Sequence, residues 1–176
     1  MRTMAKAVVL LLAVAFVAGV WDSRYGQERR PASRAAPFRT DPVERGRQAR
    51  TAPELVSVRT VEHEGYDRVL FTFRGAAPGY QVGYVPEVAD QAGRPLPLRG
   101  RAFLAVSFEP ARAHDPGGAS TVATGATLTP GSPVLRQVRL AGDFEGRVSF
   151  GIGLAGRDGF RVSELRDPTR VAVDVR

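Results

Sequence analysis

The sequence predicts an all-β protein: an antiparallel β-sandwich of about eight short strands, preceded by an N-terminal signal or anchor helix and a disordered linker. Three observations lead there. From Leu55 onward, short segments alternate apolar and polar residues with a period of two, and Gly, Pro and Asp turns bound them. No window of about 11 residues in that stretch shows the i, i+3, i+4 spacing of an amphipathic helix. Glycine (19) and proline (13) are plentiful without a repeat, which suits turns between strands better than a helical bundle.

The first element, residues 1–20, places Arg2 and Lys6 before an unbroken small and apolar run from Ala7 to Val20. That is the layout of a secretory signal. As a helix the run would reach about 21 Å, short of the ~30 Å hydrocarbon core of a bilayer. A cleaved export signal is therefore expected, with an uncleaved signal-anchor as the alternative. Either one puts the rest of the chain outside the cytoplasmic membrane, secreted or tethered to its outer face. Residues 21–53 hold few large apolar side chains and no periodicity. Such a stretch cannot bury enough surface to offset the entropy of ordering, so it reads as a disordered Arg/Pro/Ala-rich linker. The domain is expected over residues 54–176.

Within it, "LVSVRTV" (55–61) and "RVLFTFR" (68–74) are β-branched and aromatic strands. "YQVGYVPEV" (80–88) follows, with Pro86 marking an edge or an end. Tyr80 and Tyr84 share one face of it, as core residues or as a platform. "AFLAVSFEP" (102–110) sets Leu104, Val106 and Phe108 on one face and Phe103, Ala105 and Ser107 on the other. A long irregular stretch leads to "VLRQVRLAG" (134–142), "RVSFGIGL" (147–154), "FRVSEL" (160–165) and "TRVAVDV" (169–175). "GDFEG" joins two of these as a hairpin, with Phe144 expected over the end of the core. Val148, Phe150, Ile152 and Leu154 point to the core. Ser149, Gly151 and Gly153 leave the opposite face nearly bare, which lets a crossing loop, a partner strand or a glycan approach. These three are candidate ligand-binding positions.

The net charge is +7, but it is uneven. Residues 54–176 hold 15 Arg against 14 acids, and residues 21–53 hold 8 Arg against 4 acids. The basic excess lies in the leader and linker, so nucleic acid is not an expected partner. A basic stalk suits an anionic membrane surface or wall polymer. Cysteine is absent, which rules out disulfides, thiolate metal sites and cysteine nucleophiles. The two histidines, His63 and His114, sit in no zinc-protease pattern, and no Gly-x-Ser-x-Gly elbow occurs. Asp143 and Glu145 would share one side of a strand about 6–7 Å apart, with no cleft to raise an acid's pKa. The expectation is a non-enzyme without metal or cofactor. A cleft uniting Asp143 or Glu145 with His114 is what would reverse it. Two further places are candidates for binding. His114-Asp115-Pro116-Gly117-Gly118 reads as a rigid turn or a ligand-contacting loop. Tyr66-Asp67-Arg68 reads as a strand-end turn, with Asp67 paired to an Arg, or as a surface where Tyr66 stacks on a sugar and Arg68 meets a carboxylate.

"YDRVLFTF", "HD", "LAGDFEGRVSFGIGL" and the closing "FRVSELRDPTRVAVDV" together resemble the AMIN-like domains of exported actinobacterial proteins, distant relatives of the AMIN domain. The terminal "DPTRVAVDV" is nearest to AMIN proper. Arg68-Val69 and Arg170-Val171 open two similar strands, as two related halves of a sandwich would. The resemblance covers about residues 54–176. It implies a small two-sheet sandwich that accompanies cell-wall machinery and localises by binding peptidoglycan or another envelope component. An extracytoplasmic carrier of an apolar ligand, or a protein–protein adaptor, is the alternative.

Overall fold

The computed structural model describes residues 36–122 and 127–176. Among these it forms ten strands: β1 (Val43–Arg45), β2 (Glu54–His63), β3 (Tyr66–Arg74), β4 (Gly79–Val85), β5 (Ala102–Glu109), β6 (Thr127–Leu128), β7 (Leu135–Phe144), β8 (Arg147–Leu154), β9 (Phe160–Leu165) and β10 (Arg170–Val175). Every pairing is antiparallel. One sheet has six strands in the order β1-β4-β5-β8-β7-β6, and the other has four in the order β2-β3-β10-β9. The eight expected strands are all present. The leader and residues 21–35 lie outside the described residues. Among the described ones, no helix is long and apolar enough to cross a membrane.

Alternation decides which side chains meet between the sheets. On β3, Val69, Phe71 and Phe73 are buried and Leu70 and Thr72 are not. Leu104, Val106 and Phe108 of β5 and Val148, Phe150, Ile152 and Leu154 of β8 face them. Phe71 meets Phe108 with ring centroids 4.9 Å apart and Phe150 at 5.0 Å, and Phe73 meets Phe108 at 5.0 Å. Edge-on pairs of this kind add about 0.5–1.5 kcal/mol each beyond the area they bury.

The β7–β8 turn is Glu145-Gly146, with φ of 49° and 77°. Two central residues with positive φ match the twist of the flanking strands. Phe144 does not cover the core: it is 62% exposed, because its register partner Arg147 opens the next strand on the outer side. The two Arg-Val strands are not two halves of the sandwich. They are neighbours in one sheet, β3 and β10, with Arg68 opposite Asp174.

The sequence places residues 36–53 in the linker, yet in the structure they lie along the domain. Val43–Arg45 pairs with β4, and Arg39 exchanges backbone hydrogen bonds with Phe160. Arg47 donates to both oxygens of Glu164 on β9, and Arg45 adds an ion pair at 3.3 Å. Main-chain pairing and guanidinium–carboxylate contacts anchor this segment, and neither leaves an apolar period to detect.

The bare face of β8 is covered by the connection 86–101. Gln91 N donates to Ala141 O, Arg101 N to Leu154 O, and Arg99 N to the Gln137 side chain. A Cβ at Gly151 would lie 2.6 Å from Leu98 Cδ1, and one at Gly153 would collide with the Arg99 carbonyl oxygen. The approach that glycine permits here is made by the chain's own loop, so Gly151 and Gly153 are not open to a ligand.

Two outcomes follow. Gly153→Ala destabilises by about 1–3 kcal/mol through overpacking, while Gly131→Ala, with no atom near its would-be Cβ, stays within about 0.5 kcal/mol; urea unfolding of both measures this. Glu164→Gln speeds amide exchange across residues 39–47 with little change in the exchange of β3 and β8, because only the edge strand is released.

Candidate functional site

Three places on this frame gather the candidate residues. The first is the outer face of the four-stranded sheet. Antiparallel register puts Val61, Arg68, Asp174 and Arg161 in one row across β2, β3, β10 and β9. Asp174 is 1% exposed. Arg68 donates to it through Nε at 2.6 Å and Nη2 at 3.0 Å, and Arg161 through Nε at 2.8 Å. The hydrogen bond to Asp174 raises the Arg68 pKa above its ordinary value, against the opposing effect of burial. Tyr66 is stacked on His63 with centroids 4.6 Å apart, and Arg161 lies 4.7 Å from its ring centre. Arg68 therefore gives its Nε fork to an internal carboxylate, and Tyr66 gives its ring to neighbours. The expected pairing of Tyr66 with a sugar and of that fork with a ligand carboxylate meets a site already occupied by the protein itself.

Asp67 does not pair with an Arg. It faces inward, where the Ser132 hydroxyl and Leu135 N donate to its Oδ2. It fixes the loop that enters β7.

The second place is the end of the sandwich at the 110–122 loop. Asp143 points inward with the same parity as Val148, while Glu145 sits in the exposed turn. The two acids do not act as a pair. Asp143 Oδ2 accepts from Ala113 N at 3.0 Å and lies 2.6 Å from His114 Nδ1. An open cleft of about 510 Å³ runs past Asp90, Gln91, His114, Ser120 and Asp143. This is the His114–Asp143 meeting that an enzyme would need. The nearest hydroxyl, on Ser120, donates instead to the Val122 carbonyl at 2.7 Å. Among the described residues, no three His, Asp or Glu side chains gather to hold a metal. Asp115 closes its own turn: Oδ1 accepts from Gly117 N and Ala119 N, both at 2.9 Å, and Gly118 takes φ 84°.

The third place was only partly visible in the sequence. On the outer face of the six-stranded sheet, Glu44, Gln81, Ser107 and Ser149 form a row in register across β1, β4, β5 and β8. Beside them lie Gly83 and Ala105, and Pro42 and Val88 wall the two sides of a groove of about 510 Å³. Ser149 is the one member of the bare-face trio that remains open, because the 86–101 loop stops short of it. Its partner Ser107 could be found from strand parity alone. Pro42 and Glu44 could not, since they belong to the segment that has no apolar pattern. Tyr80 and Tyr84 of the same strand face inward. Tyr84 meets Phe160 edge-on at 5.7 Å, and burial raises the pKa of both phenols.

Removing the buried carboxylate tests the first place directly. Asp174→Ala leaves two guanidiniums without a counter-charge and should cost about 3–5 kcal/mol in equilibrium unfolding.

Comparison with known proteins gives one match. The family model of the AMIN-like domain covers residues 53–176. No curated protein and no solved structure matches the chain.

Proposed function

Because the chain belongs to the AMIN-like domain family, we propose that it is a non-catalytic binding module that acts at the cell wall, exported by residues 1–20 and reaching its target on the segment that follows. The observation that carries this reading is the groove on the six-stranded sheet. Its floor is flat, because Gly83, Ala105, Ser107 and Ser149 are small. Its polar row offers a carboxylate, an amide and two hydroxyls at strand spacing, about 4.8 Å apart from one strand to the next. A peptidoglycan strand presents hydroxyls, amides and free amines at comparable intervals, and Glu44 would take an amine. Small floor residues let an extended polymer lie close to the sheet. The carrier alternative loses support, because Phe71, Phe108 and Phe150 fill the space between the sheets where an apolar ligand would sit.

The test is co-sedimentation of the full chain with purified peptidoglycan. Enrichment over a charge-matched control protein is expected. Ser107→Trp and Ser149→Trp, which fill the groove from outside the core, should each weaken binding at least tenfold and leave the melting temperature unchanged. Absence of enrichment would sink the wall-binding reading. Labelling of the N-terminus in membranes and culture medium reports the export step separately.

A further inference from the structure

The outer face of the four-stranded sheet has a charge pattern that the wall-binding groove does not use. Arg59, Leu70, Ala172 and Ser163 form the row next to Val61, Arg68, Asp174 and Arg161, and Arg170 follows in the row beyond. Arg176 joins the group by stacking on Phe38, its guanidinium carbon 4.6 Å from the ring centre. Arg59, Arg68, Arg161, Arg170 and Arg176 thus accompany Asp174, while farther along β3 Arg74 pairs with Glu54.

The central guanidiniums are fixed in two ways. Asp174 holds their Nε edges. Aromatic rings hold the plane of Arg161, which lies 4.5 Å from the Phe38 centre and 4.7 Å from that of Tyr66. Arg68 and Arg161 share Asp174, and Arg161 and Arg176 share Phe38. Both Nη groups of Arg161 and Nη1 of Arg68 have no hydrogen-bond partner among the described residues. The need to neutralise Asp174 accounts for two of these arginines. It does not account for Arg176, whose partner in this group is the Phe38 ring. Guanidiniums already held in place lose little rotamer freedom on binding a ligand. Three guanidiniums linked through Asp174 and Phe38 offer more donors than the two oxygens of a carboxylate can accept, and a phosphate group supplies more oxygens and more charge.

We propose that Arg68, Arg161 and Arg176, positioned by Asp174, Phe38 and Tyr66, form a binding site for a phosphate-class oxyanion, a monoester or diester. The source is either an anionic lipid headgroup or a phosphate-bearing polymer. The site lies on the opposite sheet from the groove, so each can fail without the other.

The experiment titrates the full chain with vesicles of phosphatidylglycerol in phosphatidylcholine and with soluble polyphosphate. Pure phosphatidylcholine vesicles and polyglutamate are the controls. Binding confined to the vesicles assigns the lipid source, and binding to polyphosphate assigns the polymer source. Residues 1–53 are themselves basic, so the variants carry the decision. Arg176→Gln, and Arg161→Lys, which keeps the charge and loses the planar fork, should each weaken phosphate binding about tenfold. Arg176→Gln should keep the melting temperature of the unmodified chain, Arg161→Lys should lower it because buried Asp174 loses its Nε donor, and peptidoglycan co-sedimentation should stay unchanged in both. Unchanged affinity in both variants overturns the site. Polyglutamate binding as tight as that of polyphosphate overturns the phosphate class.

Discussion

Phe71 enters the space between the two sheets and meets rings from β5 and β8 that lie side by side in the opposite sheet. No backbone hydrogen bond of the strand ladders links the sheets, so this packing, with polar ties such as Asp67 to Leu135 N and Glu164 to Arg45, holds them face to face. A filled interior has a consequence for function. Both inner faces are consumed, and any ligand must be met on an outer face, at an edge or at an end of the sandwich. The two outer faces answer that constraint in opposite ways. The six-stranded sheet carries small residues and draws the 86–101 connection down onto half of itself. The four-stranded sheet carries long cationic and aromatic side chains, with Phe38 laid against Tyr66, Arg161 and Arg176.

Small residues on an outer face are ambiguous in a sequence. The run Ser149, Gly151, Gly153 says only that something approaches closely. What approaches depends on the length and direction of a connection elsewhere. Here Leu98 and Arg99 reach Gly151 and Gly153, and the loop ends before Ser149. The same chemistry is therefore structural at two positions and available at the third. The strands themselves were legible, because a period of two is imposed by the pleat and survives in each segment separately. The short strands β1 and β6 were not, since two or three residues cannot display a period. β1 is held by register with β4 and by the ion pair of Arg45 with Glu164, both far along the chain.

Asp174 shows the limit from the other side. In the sequence it is one acid in "VAVDV", the last polar residue of an apolar strand. Its meaning comes from register: it lies opposite Arg68 on one neighbour and Arg161 on the other. A buried carboxylate needs compensating donors, and two cross-strand arginines supply three hydrogen bonds. Tyr66 and Arg68 lie together, with the guanidinium carbon 5.6 Å from the ring centre. Their roles are not legible locally, because the partners that occupy them arrive from β2, β9, β10 and the segment before β1.

The His114–Asp143 contact is the strongest remaining argument for chemistry, and its surroundings argue for a latch. Asp143 Oδ2 accepts from the Ala113 backbone as well as from His114. The carboxylate thereby pins two consecutive residues of the 110–122 loop to the end of β7, while Ser120 and Thr121 tie the far side of that loop to Val122 and to Leu55 of β2. A histidine used as a general base needs a nucleophile or a bound water within about 3 Å of its outer nitrogen and a shell that excludes solvent. The cleft beside His114 is open, and the one hydroxyl on its wall is turned toward a carbonyl. The same contact that could orient a catalytic imidazole here closes a loop against the sandwich end.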